Sequence, residues 1–200
     1  MIGVLLLGYL PLALSRLLSR TPAFAAGCGQ LMAVTRAAYV AAGGHRAIAR
    51  CMHDGLRLPA NVRRAGYATD ICNAATIANC RMYDGFASAW RGFSKDATEG
   101  MATPIGLPIW TILLAGGHLL PWLTLVAGWA SGSIETIRIS ACALIGLSIA
   151  RLFLARVCRQ HVRAVLLHPA AVACVLALQW RARWAAWLGQ PRVWRGRRYH

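Results

Sequence analysis

The sequence predicts a mainly α-helical membrane protein, in which a small mixed α/β portion precedes a transmembrane helical hairpin and a C-terminal interfacial helix. Three observations carry that prediction. Hydrophobic residues make up 58% of the 200, mean hydropathy is +0.48, and only 14% are charged, too few to cover a soluble surface. Basic side chains number 22 against 6 acidic ones, a formal net charge of +16. In so apolar a chain that excess suits lipid headgroups; a disordered nucleic-acid tail would be poor in apolar residues. Finally, residues 103–129 contain no formal charge, and 134–157 keep theirs towards the two ends.

Residues 1–20 are apolar and end in Arg16 and Arg20. They read as a membrane-associated helix, with Pro11 either kinking a span or favouring a helix in the interface. The small residues of TPAFAAG that follow leave signal-peptide cleavage open. Residues 21–101 read as a cytoplasmic α/β portion. GQLMAVT (29–35) is strand-like, and RAAYVAAGGH (36–45) is a short helix stopped by Gly43 and Gly44. DGLRLPANVRRAG (54–66) has Leu56, Leu58 and Val62 at near-helical spacing. YATDICNA (67–74) alternates like a strand, and 87–101 is a helix leading into the membrane.

Residues 102–200 read as the membrane domain. The stretch 103–129 would extend about 40 Å as a helix, enough to cross a core of about 30 Å with tilt. His118 and Pro121 fall near its middle; an intramembrane histidine is either functional or bonded to a neighbouring helix. ASGS (130–133) is a turn into the second span, 134–157. In 165–187, Trp180, Trp184 and Trp187 share one helical face flanked by Arg181 and Arg183, the pattern of an interfacial helix. The basic loop 156–163 and the tail RVWRGRRYH would both be cytoplasmic by the positive-inside rule, placing 21–101 on the same side of a bacterial-type inner membrane. Residues 101–200 hold eleven bases against one acid, so most of the excess charge flanks the membrane.

The seven cysteines are odd in number and contain no C-x-x-C. They read as free thiols in a reducing compartment, without a disulfide framework or a structural zinc site. Five of the six acids fall between 54 and 99, which makes that window the place for polar chemistry. Asp54 either caps a helix or stands in the field of its dipole, which favours a negative charge there, as a base. Cys51 and His53 alone are weak grounds for a metal. Arg81, Tyr83, Trp90, Arg91 and Lys95 form a basic, aromatic cluster beside Asp84 and Asp96. That cluster is either a solvated face or an anion site; next to a span it makes a poor nucleic-acid groove.

The order of short motifs narrows these alternatives. They are G-x-G-Q-L-M at 27–32, R-A-A-Y-x-A-x-G-G-H at 36–45, H-D-G-L-x-L-P at 53–59, R-R-A-G-Y at 63–67, and R-M-Y-x-G…W-x-G-F-S-K-D at 81–96. In this succession, with W-R-G-R-R-Y at 194–199, the chain resembles the family-2 glycosyltransferases from about residue 24 onward. The likeness is to membrane-attached members acting on lipid or polyisoprenoid-type acceptors, such as the ceramide-type glucosyltransferases and the hopanoid- and carotenoid-linked enzymes.

That resemblance implies a hexosyl transfer from a nucleotide sugar to a membrane lipid by an inverting mechanism. It casts 21–101 as the acceptor-side remnant of a GT-A-type domain. Asp54 takes the general-base position, with His53 where relatives carry Glu. Gln30 and His45 would line the acceptor side, and Arg81, Trp90, Arg91 and Lys95 the donor diphosphate. Asp96 stands where Asn is usual. The family also implies a divalent metal, Mg or Mn, held by a D-x-D pair in a preceding nucleotide-binding half. No D-x-D occurs in this chain, so the donor site would come from upstream or from a partner chain. The alternative is a non-catalytic membrane assembly protein derived from such an enzyme. A small transporter subunit built on His118 is a third reading, poorly served by two spans.

Overall fold

The computed structural model of the chain describes residues 12–74, 76–78, 80–95, 97–194 and 197–199. They fall into two compact units, one of residues up to 100 together with those after 190, the other of residues 101–190. Residues 1–11 of the N-terminal apolar stretch, Asp96, and Arg195 and Gly196 of the closing motif lie outside the described residues.

The first unit is helical. It contains α1 (Leu12–Leu17), α2 (Arg36–Ala41), α3 (Asp54–Arg64) and α4 (Phe86–Ser94), with 3-10 turns at Pro22–Phe24, His45–Ile48 and Ala97–Glu99. Thr35 caps α2 by accepting from the Ala38 amide, and Gly43 and Gly44, at φ +74° and +54°, end it as the sequence suggests. Ala38 and Ala42 pack against Val62 of α3 in a small buried cluster.

The two strands expected in this unit are absent. Residues 29–35 carry one isolated bridge, Cys28 to Leu31, and then lead into α2; residues 67–74 are extended coil. Alternating side chains make a strand only when another strand accepts its backbone, and neither segment has such a neighbour. Segment 67–70 is fastened instead by Arg63. Its Nε donates to Thr69 Oγ1 (2.6 Å), and its terminal nitrogens donate to the carbonyls of Leu18, Thr21 and Thr69, each at 2.9 Å. Burial pushes the pKa of this guanidinium down and nearby Asp70 pushes it back up. The α/β remnant is therefore corrected to an irregular helical unit. The basic tail pairs β1 (Arg192–Trp194) with β2 (Arg197–Tyr199) in antiparallel register.

The second unit contains α5 (Gly106–Leu114), a π-helical turn (Ala115–Leu119), α6 (Leu120–Ser131), α7 (Ile134–Val157), α8 (Arg163–Leu166) and α9 (His168–Trp187). Among the described residues, two helices are long and apolar enough to cross a bilayer. One is the continuous run Gly106–Ser131, 26 residues with mean hydropathy 1.6; the other is α7, 24 residues with 1.8. Most of their apolar surface points outward, including Ile112, Leu123, Val126, Ile139, Ile145 and Phe153. Gly132 turns the chain at φ +67°, and Ser133 caps α7 by accepting from the Thr136 amide. Gly128 lets the arms close, since a Cβ there would stand 3.1 Å from Ile137. Thr124 and Ser140 share a hydrogen bond of 2.8 Å between them.

Pro121 explains the π turn. It offers no N–H to the carbonyl one helical turn back, so the ladder widens by one residue over Ala115–Leu119. The wider turn buries His118, whose Nδ1 lies 3.1 Å from Nε2 of His168 at the start of α9. Trp180 of α9 donates to Thr111 Oγ1 (3.0 Å). Trp184 and Trp187 remain exposed and edge-to-face, with Arg183 over the Trp187 ring at 5.1 Å.

Candidate functional site

The sequence-derived candidates converge on the start of α3. His53 occupies the cap position without a side-chain cap bond, and Asp54 is the first helical residue. The aspartate is thus no N-cap; it stands exposed in the first turn, with Oδ1 accepting from the Gly55 amide at 2.7 Å. A carboxylate there sees the positive end of the helix.

One proline organises the corner. Pro59 lies inside α3 and has no N–H for the carbonyl of Gly55, four residues earlier. That carbonyl accepts from the Gly27 amide instead, at 2.7 Å. The approach requires glycine on both sides. A Cβ on Gly55 would stand 2.7 Å from the Gly27 oxygen, and one on Gly27 would stand 3.0 Å from Pro59 Cγ. One step further on, a Cβ on Gly29 would sit 2.9 Å from both oxygens of Asp54. The glycines of G-x-G-Q-L-M and the D-G-L-x-L-P run are therefore two halves of one contact.

Other candidates attach to this corner. Gln30 next to the glycines is exposed and donates to Met82 Sδ at 2.8 Å, bringing in the segment that begins at Arg81. Lys95 Nζ donates to the Met52 carbonyl at 3.3 Å. Glu99, given no role by the sequence, accepts from the Met52 amide at 3.1 Å and from the His53 amide at 3.3 Å, holding the approach to Asp54 in place. His53 Nδ1 is buried without a partner among the described residues, and its ring edge faces Gly100.

The remaining candidates stand apart. His45 is occupied with Tyr39, whose hydroxyl lies 2.7 Å from its Nδ1 and accepts from its amide at 3.0 Å. Arg81 is exposed and loosely paired with Asp84 at 3.7 Å. Trp90 packs on Phe86 with ring centroids 5.7 Å apart, and Arg91 is exposed beside it. No hydrogen bond among the described residues joins His45, Trp90 or Arg91 to the Asp54 corner. Tyr83 closes over Gly92, leaving no room for a Cβ beside its hydroxyl, and meets Phe93 edge-to-face.

The donor set does not suit the divalent metal that the resemblance implies. Glu99 is turned to backbone amides, and no second free carboxylate among the described residues is in contact with Asp54. No group of three His, Cys, Asp or Glu side chains gathers among the described residues. All seven cysteines are unbridged. Compared with protein-family models, curated proteins and solved structures, the chain matches none.

Proposed function

We propose that this chain is the acceptor-side, membrane-anchoring part of a family-2-type glycosyltransferase. It hands a hexose from a nucleotide sugar to a membrane lipid when a partner chain supplies the donor-binding half. The observation that carries this reading is the docking of Gly27 and Gly29 on Gly55 and Asp54. Motifs separated by about two dozen residues meet so that one exposed carboxylate is presented beside a glycine backbone. A hydroxyl-bearing acceptor could approach such a place closely.

In the proposed reaction Asp54 takes the proton of the acceptor hydroxyl as its oxygen attacks the anomeric carbon from the face opposite the leaving group. The bond from that carbon to the nucleoside diphosphate breaks, and the anomeric configuration inverts. Lys95, on the carbonyl just before His53, and the exposed Arg81 and Arg91 supply positive charge for the departing diphosphate. Gln30 and His53 flank the acceptor side. The two apolar helices anchor the chain in the bilayer, with the exposed Trp184 and Trp187 at the end of α9 reaching the interface and the basic flanks on the cytoplasmic side.

Membranes carrying the full chain with a co-expressed donor-binding partner would be incubated with labelled nucleotide sugars and lipid extract. Label should enter the lipid fraction, and Asp54→Asn should lower the rate by about a hundredfold or more. Unchanged transfer by Asp54→Asn overturns the assignment. Histidine at position 53 and the lack of D-x-D favour a second reading, a non-catalytic assembly protein on the same scaffold. That reading expects no turnover and stable co-purification with a partner.

A further inference from the structure

Arg151 lies in α7, two turns before its end, and is 5% exposed. A guanidinium stays charged wherever it is buried, and a buried charge without a counter-ion is costly, more so inside a bilayer. Its hydrogen bonds are few and long. One terminal nitrogen donates to Gln160 Oε1 at 3.4 Å and to the Ala164 carbonyl at 3.5 Å, both neutral acceptors at the limit of a useful bond. Its Nε is buried and meets no acceptor among the described residues.

The surrounding unit has no carboxylate to offer. Glu135 is the one acid in residues 101–190, and it sits sixteen residues earlier on the same helix, about 24 Å away along the axis. The last turn of α7 and the connection into α8 add positive charge instead. Arg156, Arg159 and Arg163 are all exposed, and Arg159 takes φ +50°, a left-handed conformation unusual for arginine. Large apolar side chains alternate with these cations and point outward: Phe153, Leu166 and Leu167 are each more than 60% exposed.

We infer that the corner between α7 and α9 binds the phosphate group of an anionic membrane lipid, with Arg151 as the buried donor and the exposed arginines of the turn as its electrostatic approach. The planar fork of arginine matches two phosphate oxygens at once, and Nε is the donor left open for one of them. A lipid is the expected carrier because the cations are interleaved with outward-facing apolar side chains, which acyl chains would cover. The inference is independent of sugar transfer: it concerns neither Asp54 nor its neighbours, so either can fail without the other.

The full chain in neutral detergent would be titrated with dioctanoyl phosphatidic acid, with dioctanoyl phosphatidylcholine and inorganic phosphate as comparison probes, and bound lipid counted by native mass spectrometry. Phosphatidic acid should bind saturably and at least about tenfold more tightly than the choline lipid. Arg151→Gln should weaken it by about tenfold or more, the loss expected for a charge-assisted bond. Arg151→Lys keeps the charge without the fork and should bind several-fold less tightly than wild type. This second variant decides the matter if Arg151→Gln fails to fold by circular dichroism. Wild-type affinity in Arg151→Lys, or loss of binding only when Arg156, Arg159 and Arg163 are replaced together, overturns the buried site. Displacement of the lipid by millimolar inorganic phosphate with the same Arg151 dependence overturns the lipid as its carrier.

Discussion

Replacing Gly55 by alanine sets two physical effects against each other. Helix propensity alone favours alanine over glycine inside a helix by about 1 kcal/mol. The geometry favours glycine, because the added Cβ would lie 2.7 Å from the backbone oxygen of Gly27 and 3.6 Å from its carbonyl carbon. A comfortable carbon–oxygen separation is roughly 3.3 Å, so α3 and the 27–29 loop must part by about half an ångström. Backbone cannot swing aside as a flexible side chain would. The Gly27 to Gly55 bond, now 2.7 Å, would stretch to the long end of the useful range and forfeit much of its roughly 1 kcal/mol. Crowding in a packed junction adds about 1–3 kcal/mol. Set against the propensity gain, Gly55→Ala should therefore destabilise the loop by about 1–3 kcal/mol. Amide hydrogen exchange of the full chain in micelles reads this directly. The Gly27 amide should exchange roughly five- to a hundredfold faster, while amides in α7 remain unchanged. Exchange that is unchanged or slower would show that propensity wins and that the close approach is not what holds the corner.

Four further outcomes test other parts of the structure. Pro59→Ala returns an N–H to α3 that competes with Gly27 for the Gly55 carbonyl, so Gly27 exchange should rise even though the helix itself gains a bond; the same exchange profile checks it. Arg63→Met removes four hydrogen bonds and takes from the Thr69 carbonyl its donor, while the Leu18 and Thr21 carbonyls keep the Thr21 and Phe24 amides; stability should fall by about 2–4 kcal/mol in chemical denaturation. Arg63→Lys should recover less than half of that loss, since one ammonium cannot span Leu18, Thr21 and Thr69. In the helical hairpin, a double-mutant cycle of Thr124→Val and Ser140→Ala should give a coupling of about 0.5–1.5 kcal/mol by thermal unfolding in detergent.

Much of the helical content is legible because its signals are local. The apolar run 134–157 with arginines towards its ends predicts the second span, and α7 has those same limits. The turn at ASGS follows from Gly132 and Ser133, and the stop of α2 from Gly43 and Gly44. Helix α3 follows from Leu58 and Val62, both buried on one face. The alternation at 29–35 and 67–74 predicts strands that do not form, because alternation is also local, whereas a strand exists only through its neighbour. At the candidate site, the sequence marks Asp54, His53, Gln30 and Lys95 individually, but Glu99 carries no visible signal, since its role is to accept amides 46 and 47 residues earlier. His45 shows the converse: a motif neighbour by order, it is bound to Tyr39 within its own segment.

Composition, charge and periodicity by themselves determined that two apolar helices form, where they turn, and that the acids gather in one window, because each depends on side chains close along the chain. Only the tertiary structure decided which distant residues meet. A missing N–H at Pro59 leaves a carbonyl for Gly27. A missing N–H at Pro121 accompanies the turn that aims His118 at His168. Helix α7 buries Arg151 away from every acid of its own unit. Hydrogen-bond vacancies and buried charges are properties of what lies opposite a residue, and that is set by packing across the fold.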